Sequence, residues 1–144
     1  MPTVASRMRA PVLSLVAVLC LASPAFADVV ARVNIASQRM VLIVDGNVEA
    51  IWRVSTAARG YRTPRGSYRP KVLRRMHYSS KYENAPMPHS VFFRGGYAVH
   101  GTNHVRSLGR PVSHGCIRLA PRNAAMLYYL IRQYGLRATR IVIS

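Results

Sequence analysis

The sequence predicts a mainly β domain carrying one packed helix. Three features predict it: short runs rich in β-branched residues, turn signals between those runs, and a single stretch of helical period near the C-terminal end. The chain is 144 residues long and half apolar, which is room for one domain and enough apolar content for a packed core.

Residues 29–35, VVARVNI, and 40–44, MVLIV, read as strands because β-branched side chains suit a pleated, half-buried surface. Asp45-Gly46-Asn47 is a hairpin signal, and VEAIWRVS at 48–55 is the returning strand. The three form a meander in which each strand buries one face. Residues 56–66, TAARGYRTPRG, are loop-like. SYRPKVL at 67–73 is strand-like, with Pro70 restricting it to an edge or a bulge. Residues 76–89, MHYSSKYENAPMPH, read as an aromatic, Met- and Pro-rich loop, from which Tyr78, Tyr82 and Met87, with Phe92 beyond it, could form a lid. SVFFR at 90–94 and YAVH at 97–100 are strands joined at Gly95-Gly96, and 101–114 is a polar loop. The helix spans 121–134, PRNAAMLYYLIRQY, with Pro121 in its first turn and Gly135 just past its end. Its apolar residues Ala124, Leu127, Tyr128 and Ile131 fall at i, i+3, i+4 and i+7, a stripe that packs on a sheet. ATRIVI at 138–143 closes the domain.

The first 27 residues read as a secretory signal. Arg7 and Arg9 precede an apolar stretch at 11–22, and Ala25-Phe26-Ala27 supplies a small-x-small cleavage site. Leu19 before Cys20 does not fit a lipidation signal. The expected organisation is a signal over 1–27 and one domain over 28–144, exported to the periplasm or cell envelope. No apolar run reaches the roughly 18–20 residues of a membrane span. Cys20 leaves with the signal, so Cys116 is the one cysteine of the mature chain. In an oxidising compartment a lone cysteine is either inert, intermolecularly bridged or reactive.

Lys and Arg number 21 against 4 Asp and Glu. Without Arg7 and Arg9 the balance is 19 to 4, or +15. Such a charge attracts polyanions. Export argues against nucleic acid as the partner and leaves anionic envelope glycans as the candidate.

The chemistry lies in HGTNHVRSLGRPVSHGCIRL, residues 100–119. Gly115 allows a tight turn beside the Cys116 thiol, and such a turn can aim successive N–H groups at one oxyanion. Arg110, Arg118 and two histidines surround the cysteine, and positive charge favours thiolate over thiol. No Asp or Glu lies beyond Glu83, so any carbonyl that orients a histidine must come from the backbone, with Gly101 the nearest. Either His114 or His100 could serve as base, and spacing alone does not choose between them. His100 and His104 form a His-x-x-x-His pair, but on a loop with no carboxylate nearby. Neither a metal nor another cofactor is expected. His77 and His89 read as ordinary loop residues.

Residues 97–119, YAVHGTN…SLGRPVSHGCIRL, resemble the signature of the L,D-transpeptidase (YkuD-like) catalytic domain, and TPRGSY at 63–68 resembles the family's TP-x-G-x-aromatic segment. APMPHSVFFRGGYAVHG at 85–101 matches small exported proteobacterial members. The resemblance implies a β-sandwich of mixed sheets with one main packed helix. It assigns Cys116 as nucleophile, His100 as general base and acid, and the Gly101 carbonyl as the group orienting His100. It places oxyanion donors at the backbone of His114, Gly115 and Cys116, and substrate contacts at Ser113, His114 and Arg118. Many members carry Asn where this chain has Arg118. The implied activity is peptidoglycan L,D-transpeptidation through a cysteine thioester, with a tetrapeptide stem as donor and a diaminopimelate-type amine as acceptor. Alternatives are an L,D-carboxypeptidase, an enzyme attaching an envelope protein to peptidoglycan, and a non-enzymatic cationic envelope protein.

Overall fold

A computed structural model describes residues 29–144. The signal expected over 1–27 lies outside the described residues. The chain folds into strands β1 (Val29–Asn34), β2 (Arg39–Val44), β3 (Asn47–Arg53), β4 (Gly66–Tyr68), β5 (Val72–Tyr78), β6 (Pro86–Arg94), β7 (Tyr97–Gly101) and β8 (Ile117–Leu119), helix α1 (Pro121–Tyr134) and strand β9 (Thr139–Ile143). A single 3-10 turn, Val105–Ser107, interrupts the loop after β7.

Two mixed sheets result. One has the order β3-β2-β1-β9-β4 and the other β5-β6-β7-β8. The β1–β9 and β7–β8 pairs are parallel, and every other pair is antiparallel. Both sheets and α1 share one core. Val29, Met40, Leu42 and Ile141 come from the first sheet, Val91, Phe93, Val99 and Ile117 from the second. The helix contributes the four residues its period marks, Ala124, Leu127, Tyr128 and Ile131. This is the mainly β architecture expected, with the N-terminal meander in register.

Two differences matter for the site. The stretch read as a loop over 76–89 is mostly strand, and only 79–85 turns. Its prolines conceal the pairing. Pro86 faces Tyr78 and Pro88 faces Met76, two residues apart, while Ser79 N–H bonds the Ala85 carbonyl at 3.1 Å or less. That bond makes the next pairs inward alternate, so both prolines occupy positions that exchange no ladder hydrogen bond with β5. Strand β7 pairs with β6 only at Val91–Arg94, so no ladder bond is lost there either. The second difference is β8, a three-residue strand that the sequence reading left unassigned. Pairing on both sides creates it: β7 on one edge, and on the other an isolated bridge between Ser55 and Arg118. Pro70 falls between β4 and β5, where the chain passes from one sheet's edge to the other's.

Candidate active site

The parallel register sets the site. Val99 faces Ile117 and His100 faces Arg118. Facing residues of a parallel pair project from the same side, and neighbours along a strand project from opposite sides. Val99 and Ile117 are fully buried in the core. His100 and Arg118 therefore share the other face, and Cys116 lies immediately before β8, its sulfur against the Gly96 and Ala98 backbone.

His100 is buried, and its Nδ1 lies 2.7 Å from the Gly101 carbonyl oxygen. That contact makes Nδ1 the proton donor and leaves Nε2 as the basic nitrogen. The carbonyl expected to orient the ring is thus in place, at the last residue of β7. Gly101 is also the right residue sterically. A Cβ there would sit 3.1 Å from Pro88 and 3.3 Å from the Pro121 backbone, where β7 meets the start of the helix.

The thiol is half-buried, with Sγ 3.8 Å from the Gly96 carbonyl. Burial pushes its pKa up, opposed by a backbone hydrogen bond from Ala98 and by the Arg118 charge. Burial also pulls His100 down to about 4; the Gly101 hydrogen bond opposes this, and the charges of Arg118 and His77 add to it. Arg118 is itself lowered by burial, against the pull of Cys116. The expectation of a resting thiolate is therefore corrected. Desolvation outweighs the neighbouring cations, and at neutral pH the pair rests as thiol and neutral imidazole.

The SHGC loop is held from beneath by buried hydroxyls and amides. Ser113 Oγ accepts the Gly115 N–H at 3.0 Å and donates to the Cys116 carbonyl at 2.6 Å. Thr63 Oγ1 accepts the Ala57 N–H at 3.0 Å and donates to the Gly115 carbonyl at 2.8 Å. Ala58 N–H bonds the Ser113 carbonyl at 2.8 Å, and Ser113 N–H bonds Thr56 at 2.9 Å. Further back, the buried Gln38 side chain bonds both the Thr56 hydroxyl and its N–H. Ser55 Oγ donates to the Arg110 carbonyl. Gly115 adopts φ +132°, and a Cβ would meet the Tyr97 ring at 2.6 Å and the Arg62 carbonyl at 2.9 Å. Strain and collision together require glycine here.

Of the oxyanion donors expected, the Gly115 N–H is already committed to Ser113. His114 is exposed, and its ring lies between two tyrosines. Tyr82 from the β5–β6 turn stacks on it at 4.1 Å, and Tyr61 meets it edge-on at 4.7 Å. Of the other residues considered as a lid, Met87 is core, Phe92 carries the edge of His77, and Tyr78 is exposed. His104 is exposed at the start of the 3-10 turn. His89, read as a loop residue, lies in β6 with φ 52° and packs on Tyr128 and Tyr129. Among the described residues no three of His, Cys, Asp or Glu are grouped to hold a metal ion, and no helix is long and apolar enough to cross a membrane. The sequence reading missed Gln38, Ser55, Thr56 and Thr63 as parts of the site. Only Thr63 carried a signal, through its place in TPRGSY.

The site thus joins a cysteine at the start of β8 to an oriented histidine on the neighbouring strand β7 of a two-sheet domain. The chain belongs to the YkuD family, the L,D-transpeptidase catalytic domain, whose sequence profile it matches over residues 28–143. It is similar to YqjB of Bacillus subtilis (strain 168), assigned by name to the L,D-transpeptidases, at 29% identity over 112 residues, covering 69% of this chain and 64% of that protein. Among solved structures it resembles an L,D-transpeptidase from Mycobacterium smegmatis, with TM-score 0.72 and 27% identity over 82% of this chain and 59% of that one. It also resembles residues 123–326 of an L,D-transpeptidase from Xylanimonas cellulosilytica DSM 15894, with TM-score 0.64 and 30% identity over 85% of this chain and 63% of that one. The chain spans about six-tenths of the length of these relatives.

Proposed function

We propose that this chain is an exported L,D-transpeptidase that cross-links peptidoglycan stems through a Cys116 thioester. The observation that carries the reading is His100 facing Arg118 across β7 and β8, with Cys116 immediately before β8 and the His100 ring oriented by Gly101. The signal-like first 27 residues support export.

In the first half-reaction His100 Nε2 takes the proton from the thiol as Sγ attacks the carbonyl carbon of the third stem residue. The tetrahedral oxyanion collapses, the bond to the terminal D-Ala nitrogen breaks, and that nitrogen takes the proton from His100. A thioester remains. An acceptor amine then attacks it and gives its proton to His100. The C–S bond breaks, and the proton returns to sulfur. Moving the first proton is uphill for a raised thiol and a lowered imidazole. Coulomb attraction within the thiolate–imidazolium pair recovers part of that cost. The step is therefore coupled to attack on bound substrate. Arg118, on the same face, is suited to a bidentate contact with a stem carboxylate.

Incubation of the purified protein with tetrapeptide muropeptides tests the reading, with products separated by chromatography and weighed by mass. Cross-linked dimers are expected. Trimmed tripeptides alone would indicate the carboxypeptidase, and no product from folded protein would favour the non-enzymatic envelope role.

The charge supports an anionic wall polymer as a further partner. Arg59, Arg62, Arg65, Arg69, Lys71, Arg74 and Arg75 are all exposed, with no acid between Glu49 and Glu83. This run leaves the SHGC loop at Thr63 and crosses between the two sheet edges. Exposed charges are screened over ~8 Å at physiological salt. Pelleting with purified sacculi should therefore weaken steeply as salt rises. Arg69, Lys71, Arg74 and Arg75 changed together to Gln should reduce pelleting several-fold without altering thiol reactivity. Salt-independent pelleting would refute the electrostatic reading.

A further inference from the structure

We infer that Thr63 is a positioning residue for the oxyanion hole: its hydroxyl sets the direction of the Cys116 N–H by holding the Gly115 carbonyl. The inference rests on the acyl-transfer reading of the site and adds a residue to which no role had been given.

In a trans peptide the carbonyl and the following N–H point in opposite directions, and the described residues contain no cis peptides. Three consecutive peptide units make up the loop. In the first, Ala58 draws the Ser113 carbonyl toward the 54–58 segment, so the His114 N–H points away from that segment. In the second, Ser113 Oγ draws the Gly115 N–H inward, which turns the His114 carbonyl outward. In the third, Thr63 draws the Gly115 carbonyl inward, so the Cys116 N–H points away. The alternation leaves two donors, His114 and Cys116, on the side opposite the buried supports. Gly115 permits it with its positive φ.

The two donors are not held in the same way. Backbone fixes the His114 unit. The Cys116 unit depends on one side chain, Thr63, which is buried and whose hydroxyl proton has a single use. The same oxygen accepts the Ala57 N–H, so Thr63 also ties the nucleophile loop to the segment that supports it. An oxyanion donor is worth on the order of 10²–10³ in rate only when it is aimed at the developing charge. Losing the Thr63 hydroxyl lets the Gly115–Cys116 peptide rotate without removing the donor itself.

The test compares two reactions of the same sulfur. Acylation by a carbapenem passes through a tetrahedral oxyanion, whereas alkylation by iodoacetamide forms none. Thr63→Val keeps the side-chain volume and removes the hydroxyl. It should slow carbapenem acylation and cross-linking kcat by about 10- to 100-fold, leave KM and the alkylation rate within about two-fold, and be rescued by Thr63→Ser. Thr63→Ala, which leaves space rather than filling it, should show the same split and serves if the valine variant does not fold. Wild-type acylation rates in Thr63→Val would overturn the inference. So would an equal fall in acylation and alkylation, since that would mean only a loosened loop. Wild-type protein that alkylates but is never acylated would overturn the acyl-transfer reading, and this inference with it.

Discussion

Changing Cys116 to alanine is expected to abolish stem-peptide cross-linking and the carbapenem adduct together, by a factor on the order of 10⁴ or more in rate. Among the described residues Cys116 is the only cysteine. Ser113 is the nearest hydroxyl in sequence, but it is fully buried and engaged at both ends with the Gly115 N–H and the Cys116 carbonyl. It cannot stand in as nucleophile without dismantling the loop. The fold should survive, because the thiol is half-buried and only its weak contacts with the Gly96 and Ala98 backbone are lost. The change in stability should stay below about 1 kcal/mol. Intact-protein mass spectrometry and a thermal melt check both halves. An adduct persisting on the alanine variant would place the nucleophile elsewhere.

His100→Ala should cost about 10³-fold or more in acylation, and His104→Ala less than about three-fold. His100 is buried on β7 beside the strand that Cys116 leads into and is oriented by Gly101, whereas His104 is exposed on the loop beyond. Equal losses would refute the choice of base. The pH profile is equally specific. A free imidazole would be largely protonated at pH 5, but His100 is held near 4. Acylation should therefore persist at pH 5 and fall only as pH drops through about 4, where Nε2 gains a proton. Stability follows the same group. Below about 6.5 the unfolded histidine binds a proton that the folded one refuses until about 4. Stability thus declines as pH falls across that window, by on the order of 3 kcal/mol in total. His100→Gln should flatten this part of the denaturation curve, and an unchanged slope would show that another group is responsible.

The contact between His100 and Gly101 was legible because the SHGC stretch and its distance from a histidine near a strand end are distinctive. The helix was legible because Ala124, Leu127, Tyr128 and Ile131 repeat with the helical period. Strand β8 was not, since three residues carry no period of their own and only partners on both edges define it. The β5–β6 pairing was hidden by Pro86 and Pro88, which weigh against a strand until their ladder positions are known. The resting charge state was misread for a related reason. Arg118 is visible in the sequence, but the burial that outweighs it belongs to the folded chain. The supports at Gln38, Ser55, Thr56 and Thr63 lie some 50 to 80 residues from the loop they brace, and only Thr63, within TPRGSY, is marked locally.

Strand β9 lies between β1 and β4, so residues 139–143 form an interior strand of the first sheet. The N-terminal meander can pair by itself, but β4 joins that sheet only through β9. Pairings of such long sequence separation form late and slowly. Closure of the first sheet is therefore expected late in folding, when β9 docks between β1 and β4.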